Sequence, residues 1–91
     1  MSVYIDNMNI PYRGMIMNHM IADTREELLT MADKIGVNKK WIQSKGTPRE
    51  HFDICLRKKA KALKLGAIEI HFKDLAEKTR TRMYEGKTQI Y

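Results

Sequence analysis

Two side chains that can trade protons or hold a cation, His51 and Asp53, stand two residues apart in His51-Phe52-Asp53-Ile54-Cys55. In an extended strand that spacing puts both on one face and turns Phe52 and Ile54 to the other, so one face serves the core and one serves chemistry. Asp6, His19 and Asp23 also fall on or beside apparent strands. Ligands of open α/β sheets gather outside the carboxyl ends of the strands, and Asp6, Asp23 and Asp53 read as lying near such ends. Carboxylates meeting imidazoles there suit a divalent metal ion held by Asp6 and Asp53, or phosphoester cleavage with His51 or His19 as general base or acid. Asp6, His19, His51 and Asp53 would need to lie within about 10 Å of one another to share a site.

Each group also has a structural alternative. Asp23 and Asp53 stand where they could cap the helices that follow them, and His19 could be a core imidazole bonded to backbone groups. No H-x-x-x-H or H-E-x-x-H spacing, Gly-rich phosphate loop or serine elbow is present. The helix after the His51 strand carries Arg57, Lys61 and Lys64 in one row with Lys58 beside it, a pattern that suits phosphate contact and equally suits a solvated face. Trp41 beside Lys39, Lys40 and Lys45 could stack a base while the ammonium groups meet phosphate, or could anchor its loop on the core.

The chain has 91 residues, enough for one modest core. Its 17 Lys and Arg against 11 Asp and Glu leave a formal charge of +6, which favours anionic partners such as nucleic acid, nucleotides or acidic proteins. A single cysteine, Cys55, makes no internal disulfide or thiolate metal site and fits a reducing compartment, so a cytoplasmic location is expected. No secretory leader or membrane-spanning run is apparent.

These residues need elements to position them. Ser2-Val3-Tyr4-Ile5-Asp6 reads as a short strand, followed by a loop through Asn7, Asn9 and Pro11 and a turn at Arg13-Gly14. Met15 to Ala22 reads as a central strand buried on both faces. A helix follows, opened by a capping box of Asp23 with Glu26 or Thr24 with Glu27, lined by Leu28, Met31, Ala32 and Ile35, and stopped at Gly36. Residues 37–50 form a long connecting loop with a short turn near Trp41. After the His51 strand, a helix with Leu56, Ala60 and Leu63 inward ends at Gly66. Ala67 to Phe72 alternates as a strand near a sheet edge with Ile68, Ile70 and Phe72 inward. A last helix, opened by Asp74 and Glu77 and passing Arg82 and Met83, ends near Gly86. Met15, Met17, Met20 and Met31 are expected to fill the core.

With these residues in hand, the chain resembles, over its full length, a family of small bacterial and phage proteins known only as a domain of unknown function. The resemblance is carried by Asp6, by Pro11 and Gly14, by Asn18-His19-Met20 where the family has a Ser-His-Leu-like segment, by Asp23 with Glu26-Glu27-Leu28, by His51-Phe52-Asp53 where it has His-Tyr-Asp, and by Arg57 with Gly66-Ala67. Phe52 lacks the hydroxyl of the usual Tyr, and Asn18 replaces a small hydroxyl residue. The resemblance implies that Asp6, His19, His51 and Asp53 belong together as a motif set; it supplies no reaction.

The expected fold is a single α/β domain over residues 1–91, in two or three layers, with element order ββαβαβα and a mostly parallel sheet. The expected function is binding of a phosphate-bearing ligand, nucleic acid or nucleotide, by Arg57, Lys58, Lys61, Lys64, Trp41 and Lys40 around a polar pocket. The alternatives are a metal-dependent nuclease or phosphodiesterase using the Asp and His set, and a phage accessory protein that binds an acidic host protein. A homodimer is compatible with this size.

Overall fold

The computed structural model describes residues 2–81. The strands and helices, in order, are β1 (Val3–Ile5), β2 (Ile10–Tyr12), β3 (Met15–Ala22), α1 (Arg25–Ile35), a 3₁₀ turn (Lys39–Trp41), β4 (Phe52–Cys55), α2 (Leu56–Lys64), β5 (Ile68–Glu69) and α3 (Phe72–Thr81). Arg82, Met83 and Gly86, placed in the last helix by the sequence pattern, lie outside the described residues.

The described residues form a small α/β domain with a mixed five-stranded sheet and three helices. Among the described residues β3 pairs antiparallel with β1, β2 and β4, and only β1 with β5 is parallel, so the expected mostly parallel sheet is corrected. Helix–strand alternation suggests crossovers that keep strands parallel. Here residues 37–50 carry the chain back across the sheet after α1, so β4 enters beside β3 from the opposite end. Met17 pairs with Ile10 and Cys55, and Met20 with Ile5 and Phe52. β1 and β2 therefore lie end to end along one edge of β3, with β4 along the other.

β2 adds a strand to the expected order. Its Pro11 has no amide to donate, which an edge position tolerates. The Arg13-Gly14 turn has positive φ at both residues, 49° and 78°, the handedness that matches the twist of a tight hairpin.

One face of the sheet carries the core. Val3, Ile5, Met20, Ala22, Phe52 and Ile54 pack against Leu28, Met31, Ala32 and Ile35 of α1 and Ala62 of α2. α1 begins at Thr24, whose side chain accepts from Glu27 N–H, and ends at Gly36 in the left-handed conformation. Asp23, the other candidate for the capping box, instead accepts from Ser2 N–H at 2.8 Å.

Other expected inward faces differ. On α2, Leu56 and Ala60 are exposed while Lys59 and Ala62 are buried. Met20 and Met31 are in the core, but Met15 is exposed and Met17 half-buried, because β3 is covered on both faces only toward its C-terminal end. β5 stops at Glu69 with both residues exposed, and α3 begins already at Phe72. α3 lies on the second face, where Lys78 Nζ stands 4.2 Å from the centre of the Tyr4 ring. Among the described residues no helix is long and apolar enough to cross a membrane.

Candidate metal centre

The site begins at the break between β1 and β2. Ile5 is the last residue of β1 to pair with β3, and Asp6 N–H still donates to His19 O at 3.0 Å. Beyond it the chain leaves the ladder through Asn7 to Asn9, with Asn9 at φ 54°. The His19 amide then donates to Asp6 Oδ1 at 2.9 Å, so a carboxylate takes the place of a strand carbonyl. The opposite side of the break is closed from α2. Lys59 Nζ donates to Asp6 O at 2.8 Å and Asn18 Oδ1 at 3.0 Å, and pairs with Glu69 Oε2 at 2.7 Å. A lysine 93% withdrawn from solvent is tolerated because its donors are used.

The register then aligns the chemistry. His19 of β3 stands directly opposite Asp53 of β4, and alternation along the chain sends Asn18 and Ile54 to the core face. His51 precedes Asp53 by two residues and is held by reciprocal backbone bonds with Gln43, at 2.8 and 3.1 Å, that pinch the long loop shut. Arg25 and the fully buried Glu50 pair at 2.9 Å, and Glu50 also accepts from Gly46 N–H, fastening the same loop to α1.

Asp6, His19, Asp53 and His51 thus form one connected group. His19 Nδ1 lies 2.7 Å from Asp6 Oδ2, His19 Nε2 lies 3.8 Å from Asp53 Oδ1, and His51 Nε2 lies 3.4 Å from the same oxygen. The two imidazole rings meet edge to face at 5.3 Å. Asp53 does not cap α2: the N-cap residue is Cys55, without a side-chain bond, and Asp53 Oδ2 instead accepts from Gln43 Nε2 at 2.7 Å.

Proton placement follows from the partners. Ionised Asp6 only accepts, so His19 carries its proton on Nδ1; Arg49 O, 2.7 Å from His51 Nδ1, imposes the same tautomer on His51. In the neutral rings both Nε2 atoms are then lone pairs. They face Asp53 Oδ1, which is buried and accepts no hydrogen bond from the described residues. Three electron-rich atoms within 4.8 Å of one another call for a positive charge between them, either a proton on a ring or a metal ion.

The electrostatics express the protonated alternative. Hydrogen-bonding to Asp6 raises the His19 pKa above its usual value against the opposing effect of burial, and the charges of Asp6 and Asp53 add to the rise. Burial would raise the Asp6 carboxyl, but the ring and backbone bonds from His19 outweigh it and leave it below the usual value. Asp53 is also lowered, foremost by the His51 ring beside its Oδ1, against burial and with help from Gln43 and His19.

Two imidazoles and a carboxylate suit a first-row divalent ion and leave coordination positions open. Bond lengths of about 2.0–2.2 Å place neighbouring ligand atoms roughly 3–4 Å apart, close to the separations here. Asp6, expected as a ligand, instead orients His19 from behind, as Arg49 O orients His51.

Two clefts open at this cluster. A cavity of about 900 Å³ is lined by Asp6, His19, His51 and Arg49 and by α3 residues including Arg80. A second, of about 670 Å³, is lined by His19, Asp53, Gln43, Tyr12 and Trp41. Arg57, Lys58, Lys61 and Lys64 line neither, because α2 packs on the opposite face of the sheet; Lys58 Nζ donates instead to Gly36 O at 3.4 Å. Trp41 is 62% exposed, so it does not anchor its loop on the core, and Lys40 Nζ lies 5.1 Å from its ring centre.

Asp23 takes no part in the cluster: antiparallel β1 and β3 place their carboxyl ends at opposite ends of the pair. Gln43, Arg49 and Lys59 were not foreseen. Gln43 had no readable signal, since its role depends on the closure of the loop, whereas a lysine in the middle of a helix running beneath a broken strand is recognisable once the break is known.

A model of the family described as "Protein of unknown function (DUF4031)" matches residues 3–82. The chain belongs to this family. The matched span of DUF4031 contains every residue of the cluster. Comparison with curated proteins and with solved structures found no match.

Proposed function

We propose that this DUF4031 protein is a metal-dependent phosphoester hydrolase, with a divalent ion held by His19 Nε2, His51 Nε2 and Asp53 Oδ1. The observation that carries the reading is the convergence of these three acceptor atoms, with Asp53 Oδ1 buried and without a hydrogen bond among the described residues. Asp6 and Arg49 O keep both lone pairs aimed inward, and Gln43 fixes the far oxygen of Asp53. When bound, such an ion supplies Lewis acidity and charge neutralisation at phosphorus. Arg49 and Arg80 line the larger cavity, and the chain's net charge of +6 favours an anionic substrate.

The reading is tested by titrating the metal-free protein with zinc, manganese and cobalt in a calorimeter, then assaying bis(p-nitrophenyl) phosphate. One ion per chain, turnover lost to chelator and restored by metal, and no turnover in His51→Ala are expected. Absence of stoichiometric uptake of any divalent ion at pH 8 would sink it.

A different surface supports a second reading. Arg57, Lys61 and Lys64 are exposed on the face away from the cluster, a place where an acidic protein could dock without touching the site. Charge reversal of this row should weaken such a complex and leave ion uptake unchanged.

A further inference from the structure

We infer that the substrate is a single-stranded polynucleotide whose internal phosphodiester lies at the cluster, with one base stacked in the Tyr12–Trp41 cleft and the strand continuing into the cavity lined by Arg49 and Arg80. This rests on the hydrolase reading and adds a substrate class to it. The sheet itself lays out the path. Met15, Met17 and His19 alternate along one face of β3, and Tyr12 and Ile10 stand opposite Met15 and Met17 on β2. An apolar track with aromatic groups therefore runs up to the proposed ligands.

Tyr12 is 51% exposed and Trp41 62%, an unusual outlay of aromatic surface in a small domain. Each carries a cation: Arg13 lies 5.3 Å from the centre of the Tyr12 ring and Lys40 5.1 Å from that of Trp41. Aromatic faces flanked by Arg and Lys stack bases and meet the phosphates between them, with little demand on base identity. In duplex DNA the faces are already stacked, so this cleft selects unpaired strands.

The second cavity decides between a monomeric and a polymeric substrate. His19 lines both clefts, so the cluster is approached from two sides rather than from the bottom of one pocket. A terminal phosphate needs one approach; an internal diester needs two. In the reaction a water oxygen adds to phosphorus and the bond from phosphorus to one sugar oxygen breaks. One water proton is released and one ends on the leaving oxygen, giving a phosphate monoester end and a hydroxyl end.

Trp41 is the only tryptophan in the chain, so its fluorescence reports stacking directly. The full-length protein is titrated with a short single-stranded oligonucleotide, its duplex and a mononucleotide, with ion uptake measured separately. Expected are quenching by the single strand, at least tenfold weaker binding of duplex and mononucleotide, and weakening with salt. With strand binding followed by calorimetry, since these variants lose the fluorophore, Trp41→Ala should lower strand affinity about tenfold or more with ion affinity unchanged, and Trp41→Phe should recover most of it. Ion uptake without quenching, equal affinity for the mononucleotide, or a dimer that hides Trp41 in sedimentation overturns the inference and leaves the metal centre standing. Strand binding by a protein that takes up no ion overturns the hydrolase reading instead.

Discussion

His19 Nδ1–H donates a hydrogen bond to Asp6 Oδ2 across 2.7 Å, and this one contact decides which of its nitrogens faces Asp53. The same bond couples the proton affinity of the site to the end of β1, so changes at Asp6 should be felt at an atom it does not touch.

Asp6→Asn tests that coupling. The amide no longer holds the imidazole in one tautomer, and divalent-ion affinity should fall about 10- to 100-fold. The His19 pKa should drop toward its ordinary value, because the bond and charge that raise it are gone. Calorimetry and an NMR titration of the ring protons read the two effects separately.

Asp53→Asn separates binding from folding. Asp53 Oδ1 accepts no hydrogen bond from the described residues, while the bond from Gln43 to Oδ2 survives in the amide. Stability should change by no more than about 1 kcal/mol, whereas ion uptake should be abolished. Urea denaturation of the metal-free variant alongside calorimetry checks both.

Protons and metal compete for the imidazoles, so pH should act oppositely on the two forms. The raised His19 pKa stabilises the metal-free fold fully below about 6.5, and this is lost as pH rises through the folded value. The lowered carboxyls of Asp6 and Asp53 contribute above about 3.8 and are lost as pH falls through their folded values. From this cluster, metal-free stability is therefore greatest between these limits. The stabilisation added by metal should grow above neutrality, where the ring nitrogens are free. Thermal melts from pH 4 to 9, with and without ion, test the crossing trends.

Lys59→Met should cost about 3 kcal/mol, since it leaves Asp6 O and Asn18 Oδ1 buried without their donor. Lys61→Met, on the exposed side of the same helix, should stay within about 0.5 kcal/mol. Chemical denaturation of the pair distinguishes a buried anchor from surface charge.

The sequence was most readable where local rules act alone. Leu28, Met31, Ala32 and Ile35 are all buried, Thr24 and Glu27 form the capping box, and Gly36 ends α1, because these depend on spacing within one helix. Phe52 and Ile54 are buried as their alternation with His51 and Asp53 implied. Strand direction was not readable, because residues 37–50 reverse the approach of β4 through contacts such as Arg25 with Glu50 that join distant positions. The inward face of α2 was misread for a related reason: apolar spacing favoured Leu56 and Ala60, while the vacant hydrogen-bonding positions at the strand break drew in Lys59. The carboxylate cluster at the strand ends assumed parallel strands, and antiparallel pairing separates Asp23 from Asp6.

The pair of backbone bonds between Gln43 and His51 has a consequence for how this scaffold can diversify. Both residues are anchored on the near side of the pinch, and Arg49 and Glu50 tie down the return. Between them, the Gly46 amide still holds Glu50, while Ser44, Thr47 and Pro48 form a rim that lines the larger cavity and includes none of the proposed ligands. Side chains on this rim can vary while the Gln43–His51 pinch keeps His19, His51 and Asp53 in register, which gives the domain a way to change the lining of that cavity without moving the cluster.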